Sequence, residues 1–135
     1  MNDGENYVEK LIGDLRHPEP QTRLRAAWLL GVKKEARAVV PLVKAIGENR
    51  DDPYILATIA TALGLIGDIR ALDEIVALLK NSYQVVRTAA AEAIGLIGND
   101  RGIEPLKSVM DDRKTSVRKV AARALKNLAD KEVKS

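Results

Sequence analysis

The chain has 135 residues, 46% hydrophobic and 30% charged, with a net charge of +3 and no cysteine. That balance suits one folded unit with a buried core, and the 3% aromatic content leaves the core to Leu, Ile, Val and Ala. The absence of thiols excludes a disulfide framework and thiolate chemistry, and no apolar run approaches bilayer-spanning length, so a cytoplasmic protein without membrane contact is expected.

The N-terminus, Met1 to Asn6, is polar and acidic and lacks the apolar core of a signal peptide. A first helix is predicted over 4–16, where Val8, Leu11, Ile12 and Leu15 keep to one face. Its partner over 20–31 carries Arg23-Leu24-Arg25-Ala26-Ala27-Trp28-Leu29-Leu30-Gly31. The next pair is predicted over 35–48 and 53–66, the third over 69–80 and 83–97, and the fourth over 100–111 and 114–129. In the third pair Leu72, Ile75, Val76 and Leu79 show the i, i+3, i+4, i+7 spacing of one helix face. Gly67 and Gly98 stop helices, and Asp68 and Asn99 or Asp100 cap the segments that follow. Pro18, Pro20 and Pro53 sit where a turn or first helical position tolerates a missing N–H, while Pro41 and Pro105 fall inside their helices and are expected to bend them slightly.

These pairs are copies of one another. Val86 to Gly98 returns 31 residues later as Val117 to Leu128, and 31 residues earlier as Ile55 to Gly67. The copy at Arg23 to Gly31 is offset by two further residues, placed in the polar loop Glu48 to Asp52. Self-similarity at this period means stacked units whose cores are completed by their neighbours. The expectation is an all-α solenoid of eight helices in four hairpins. It forms one domain over 1–135, with repeats near 4–31, 35–66, 69–97 and 100–129 and a polar tail at 130–135.

Two motifs carry a family likeness: Val-Arg-x-x-Ala-Ala-x-Ala-Ile-Gly-x-Ile-Gly at 86–98 with its partial copies, and the Arg-Ala-x-x-Pro-Leu type of segment at 37–42, 70–75 and 101–106. On them the chain resembles HEAT-repeat proteins of the short type, about 31 residues per unit, similar to the repeats of phycobilisome lyase subunits. The resemblance implies that the first helix of each pair lies on a convex side and the second lines a concave side.

With that arrangement, Leu24, Arg25, Trp28, Tyr54, Thr58, Thr61, Leu65, Thr88, Glu92, Leu96, Lys119 and Arg123 fall on the concave wall and form the expected partner-binding set. Gln21, Val32, Ala57, Gln84, Val85, Ala89, Thr115, Ser116, Val120 and Asn127 fall on the same wall, while Val86, Ala90, Ala91, Ala93, Ile94 and Ile97 point into the stack. Trp28, the only tryptophan, stands where other repeats have Thr61, Glu92 and Arg123, side chains too different for a shared buried site. It is read as an exposed anchor, with Leu24 and Arg25 on the same face; the alternative is a core residue covering the first repeat. The stretch Pro53 to Gly67 has no charged side chain, which suits either an apolar docking strip, open to a peptide or to a second copy in a homodimer, or a central repeat buried on both sides.

The resemblance also implies an Asp–Arg ladder between repeats. Arg23, Arg87 and Arg118 recur with His17, Asn81 and Asp112 six residues earlier, only Asp112 and Arg118 keep both charges, and Leu56 replaces the arginine of the second repeat.

Little chemistry is present for catalysis. His17, the single histidine, sits before Pro18 in a turn, and Asp51-Asp52 and Asp111-Asp112 read as caps and solvated turns rather than metal ligands. The His-Glu pairs by which HEAT-like hydroxylases hold iron are absent, and Gly64-Leu65-Ile66-Gly67 is not followed by the Lys-Ser or Lys-Thr of a phosphate loop. The sequence reading is therefore a non-enzymatic scaffold without cofactor or metal, binding a protein or peptide on its concave face. Residues 113–134 hold eight basic side chains against two acidic ones, a solubilising end cap or, in the alternative reading, a nucleic-acid contact. A further alternative, suggested by the repeat subtype, is an accessory subunit of a bilin-lyase-like system.

Overall fold

A computed structural model describes residues 3–134, with side chains through Lys131. Met1, Asn2 and Ser135 lie outside the described residues, as do the side chains of Val133 and of Glu132 and Lys134, the last two of which entered the charge count of the C-terminal segment. Among the described residues the secondary structure is helical throughout. The α-helices are α1 (Asp3–Asp14), α2 (Pro20–Val32), α3 (Val39–Glu48), α4 (Pro53–Ile66), α5 (Leu72–Leu78), α6 (Gln84–Ile97), α7 (Ile103–Lys107) and α8 (Thr115–Lys134).

The helices form four hairpins, and the second helices of the hairpins carry the stack. α2 packs on α4, α4 on α6 and α6 on α8, whereas α3, α5 and α7 lean chiefly on their own partners and on the intervening turns. Small side chains set this asymmetry. The α-carbons of Gly31, Gly64 and Gly95 face Ala62, Ala93 and Ala124 of the next repeat so closely that an added Cβ would lie 2.5, 2.7 and 2.8 Å from the alanine. A layer with the tighter spacing is the inner layer of a bent stack, so α2, α4, α6 and α8 make the concave wall.

The core is aliphatic and continuous. Leu30, Leu42, Ile55, Leu56, Ile59, Leu63, Leu72, Ile75, Ile94, Leu106 and Leu128 are fully buried, with alanines between them. In α6 the buried set is Val86, Arg87, Ala90, Ala91, Ala93, Ile94 and Ile97, which matches the predicted stacking face with Arg87 added.

Local chemistry explains the boundaries. Gly67 (φ 78°) and Gly98 (φ 72°) take the left-handed conformation that ends α4 and α6. Asp68 accepts from the Arg70 N–H at 2.9 Å and Asn99 from the Arg101 N–H at 2.9 Å; Asn99, not Asp100, is the cap. Asp52 caps α4 by accepting from the Ile55 N–H at 3.1 Å.

Three expectations are revised. α3, α5 and α7 are shorter than predicted, because Ala36–Ala38, Ile69–Ala71 and Asp100–Gly102 wind as 3-10 turns before the α-helices begin. Pro41 and Pro105 consequently stand at the third position of α3 and α7, where backbone N–H groups have no partner within the α-helix, and the predicted bends are not needed. α8 continues from Thr115 to Lys134 instead of stopping near 129, since Ala129 occupies the place of Gly67 and Gly98 and nothing breaks the helix. Lys34 occupies that place after α2, and it takes the left-handed conformation (φ 52°) without being glycine.

Candidate partner-binding surface

The concave wall holds a groove of about 610 Å³ that draws its lining from four repeats. α2 contributes Leu24 and Trp28, α4 contributes Tyr54, Ala57, Thr58 and Thr61, α6 contributes Gln84, Val85, Thr88, Ala89 and Glu92, and Ser116 closes the end at α8. The aromatics are the exposed rim: Trp28 is 53% and Tyr54 68% accessible. Trp28 is therefore not a core residue. The floor is made of Ala57, which is buried, and Ala89, which is half-buried; their small side chains leave the groove open.

The groove is nearly neutral. Glu92 is the one charged side chain among its lining residues. The Thr58 hydroxyl donates to the Tyr54 carbonyl at 2.8 Å, Gln84 and Ser116 bond side chain to side chain, and the buried Thr88 hydroxyl has no partner among the described residues. An apolar lining with a few polar atoms is the composition that receives an amphipathic segment.

Seven of the expected residues meet here: Leu24, Trp28, Tyr54, Thr58, Thr61, Thr88 and Glu92. Leu96 and Arg123 lie in a smaller adjoining depression of about 80 Å³ with Glu92, Gly95, Val120, Ala124 and Asn127. Leu65 is half-buried outside the groove, and Lys119 is exposed beyond both depressions. Arg25 does not line this groove. It lines a separate cleft of about 500 Å³ at the α1–α2 end, with Tyr7, Lys10, Asp14 and His17, although its repeat equivalents Thr58 and Ala89 line the groove, because among the described residues α2 has no preceding second helix packed beside it. Ala57, Gln84, Val85, Ala89 and Ser116 complete the groove; their places on the wall were legible, but nothing in the sequence ranked an alanine as a floor.

The ladder behind the wall is polar and buried. Arg87 pairs with Asp112 of the next repeat through Nε at 2.9 Å and Nη2 at 3.1 Å, and donates to the Asn81 and Ser82 carbonyls through Nη1. The Asp112 carboxylate is thus the partner of Arg87, while Arg118 reaches only the Asp112 backbone carbonyl, and Asp112 is a ladder residue rather than a solvated turn. Hydrogen bonds from Arg87 hold its carboxyl below the usual range despite burial, with help from the Lys114 N–H. Arg23 repeats the pattern with a neutral partner, Nε reaching Asn49 Oδ1 at 3.0 Å and Nη1 the His17 carbonyl at 2.7 Å. Leu56, fully buried, replaces this polar rung with packing in the second repeat.

Residues 8–95 and 73–135 both match the sequence model for HEAT repeats. The chain belongs to the HEAT-repeat family. This HEAT-repeat chain superposes on human deoxyhypusine hydroxylase, solved with glycerol, over 93% of its own length and 44% of that chain, at 27% identity and a TM-score of 0.77. It matches the CpcE–CpcF complex of phycocyanin lyase from Nostoc sp. over 93% of its length and 66% of that chain, at 21% identity and a TM-score of 0.67, a likeness of fold alone. An engineered protein matches at 29% identity and a TM-score of 0.63, covering 96% of this chain and 63% of that one. The chain spans less than two thirds of each of these neighbours. No curated protein sequence matches it at a significant level.

The hydroxylase likeness corrects one expectation. The sequence reading held that the chain is not an enzyme, on the grounds that it offers few convergent catalytic side chains; the same repeats build a protein named as a hydroxylase, so the fold does not exclude catalysis. Among the described residues no cluster of three His, Asp or Glu side chains is placed to hold a metal ion, and His17 is exposed, its Nδ1 accepting from the Glu19 N–H at 3.0 Å. No helix among them is long and apolar enough to cross a membrane.

Proposed function

We propose that this HEAT-repeat protein is a docking scaffold that receives an amphipathic segment of a protein partner in the concave groove. The observation that carries the reading is the pair of exposed aromatics, Trp28 and Tyr54, standing over a neutral floor of small residues drawn from successive repeats. Tryptophan and tyrosine exposed beside a desolvated floor are the side chains on which binding energy concentrates. Helices held by Gly–Ala contacts keep that floor rigid, so little ordering entropy opposes docking. Glu92 at the groove edge and Arg123 in the adjoining depression would set the direction of the bound segment.

The test is a quantitative pull-down from the source cell with the wild type, Trp28→Ala and Tyr54→Ala as baits. Both substitutions are on exposed side chains and should leave helicity unchanged. A partner retained by the wild type and lost by both variants supports the groove; its peptide should then shift the emission of Trp28, the only tryptophan. Equal recovery of every protein by all three baits overturns the reading.

A further inference from the structure

The concave wall changes its electrostatic character from repeat to repeat. Trp28, Thr61, Glu92 and Arg123 occupy equivalent places in α2, α4, α6 and α8; Thr61 is half-buried and the other three are exposed. An aromatic ring is thus followed by a hydroxyl, a carboxylate and a guanidinium. Lys119, also exposed, adds a second cation on α8, three residues on from Ser116, where the groove reaches that helix. Glu92 and Arg123 line one depression, yet among the described residues neither of them, nor Lys119, takes part in an ion pair.

Charges left without partners beside an apolar groove cost little while water covers them, but a segment that docks there displaces that water and has to answer each charge. A wall of α-helices offers no free backbone groups to an extended chain, whereas a docked helix brings its own backbone already bonded. The spacing then sets a register. Packed helices lie about 8–10 Å apart, and the groove also slants: it passes Leu24 and Trp28 on α2 but Ser116 on α8, whose equivalent on α2 is Gln21. Along such a path one repeat takes about 10 Å, which is about seven residues of a docked helix. Seven residues are close to two turns, so side chains a heptad apart on one face meet successive repeats.

We propose that the groove selects a partner helix by a fixed order of side chains, an inference that rests on the docking reading above. A large apolar residue meets Trp28 and Tyr54, a lysine or arginine about two heptads on meets Glu92, and an aspartate or glutamate about one heptad further meets Lys119 and Arg123. The apolar floor alone would accept many amphipathic helices, and the charges discriminate among them. A helix with its two charges exchanged sets glutamate against Glu92 and lysine against Arg123. Turning that helix end for end restores the charge pairs but carries its apolar anchor away from Trp28, so one chain direction and one charge order are favoured together.

The probes are three fluorescein-labelled helical peptides of just over about three heptads, with leucine and alanine on the face that meets the wall. One carries lysine and then glutamate at the two charged positions, one carries the same pair exchanged, and one has glutamine at both. Anisotropy with the full chain at low salt should show the ordered peptide binding about tenfold more tightly than the exchanged one, with the neutral peptide between them. The combined variant Glu92→Lys, Lys119→Glu, Arg123→Glu changes only exposed side chains and should reverse that preference, while Trp28→Ala should weaken every peptide. If the three peptides bind the wild type alike and all are weakened by Trp28→Ala, the charge order is wrong and the groove reading stands. If none binds, or if Trp28→Ala weakens none, the groove reading fails and this inference with it. A dimer of the protein alone that Trp28→Ala dissolves would assign the groove to a second copy, and a short DNA duplex that displaces the ordered peptide would assign the wall to nucleic acid; either result overturns the proposal.

Discussion

Replacing Gly64 by alanine sets two effects of opposite sign against each other. Helix propensity alone favours alanine in a helix interior by about 1 kcal/mol. In the structure the new Cβ would lie 2.7 Å from Ala93 Cα and 2.9 Å from Ala93 Cβ, where carbon contacts normally begin near about 3.5 Å. The obstacle is backbone, which cannot swing aside, so α4 and α6 must part by a few tenths of an ångström to about 1 Å. Overpacking of that kind costs about 1–3 kcal/mol, and an obstruction shared by two helices belongs at the upper end. The net expectation is a loss of about 2 kcal/mol, or a Tm lower by about 6 °C for a chain of this size. Urea unfolding followed by helical circular dichroism measures it. Gly13→Ala and Gly47→Ala, where nothing lies within 4 Å of the new Cβ, should be neutral or stabilising by up to about 1 kcal/mol. Ala93→Gly in the Gly64→Ala background should restore part of the loss. If Gly64→Ala stabilised the protein as the two control sites do, the close approach of α4 and α6 and the curvature derived from it would be wrong.

Arg87→Met strands the Asp112 carboxylate, whose side chain is 10% exposed, and should destabilise by about 3 kcal/mol, whereas Arg23→Met leaves only the neutral Asn49 and should cost about 1 kcal/mol; equal losses in thermal melts would deny the ladder its electrostatic role. The folded-state pKa of Asp112 lies below its unfolded value near about 3.9, so its contribution is complete above that pH and disappears as the pH falls through the lowered folded value; stability measured from pH 6 to pH 2 should lose part of its acid slope in Asp112→Asn. Lys34→Gly should raise stability by about 0.5–1 kcal/mol by relieving the left-handed strain at a non-glycine position, a gain read directly from the urea midpoint.

The repeat period and the identity of the buried faces followed from the sequence because each helix is amphipathic in its own right and the copies are in phase. The stacking face of α6 and the exposure of Trp28 were legible for that reason, the latter because Thr61, Glu92 and Arg123 at equivalent places could not share a buried environment. The α-helical starts of α3, α5 and α7 were not legible, since apolar spacing does not distinguish a 3-10 turn from the first α-helical turn when both bury the same small residue, Ala38, Ala71 or Gly102. The sequence also could not pair Arg87 with Asp112, 25 residues away, or turn Arg25 out of the groove. Both depend on how one hairpin sits on the next.

The order of helices, their amphipathic faces and the glycine stops were thus written in the chain, because they arise from interactions between residues a few positions apart. The groove and its small floor were decided by tertiary structure. They exist only where side chains of different repeats meet, at distances set by the Gly–Ala contacts between neighbouring helices.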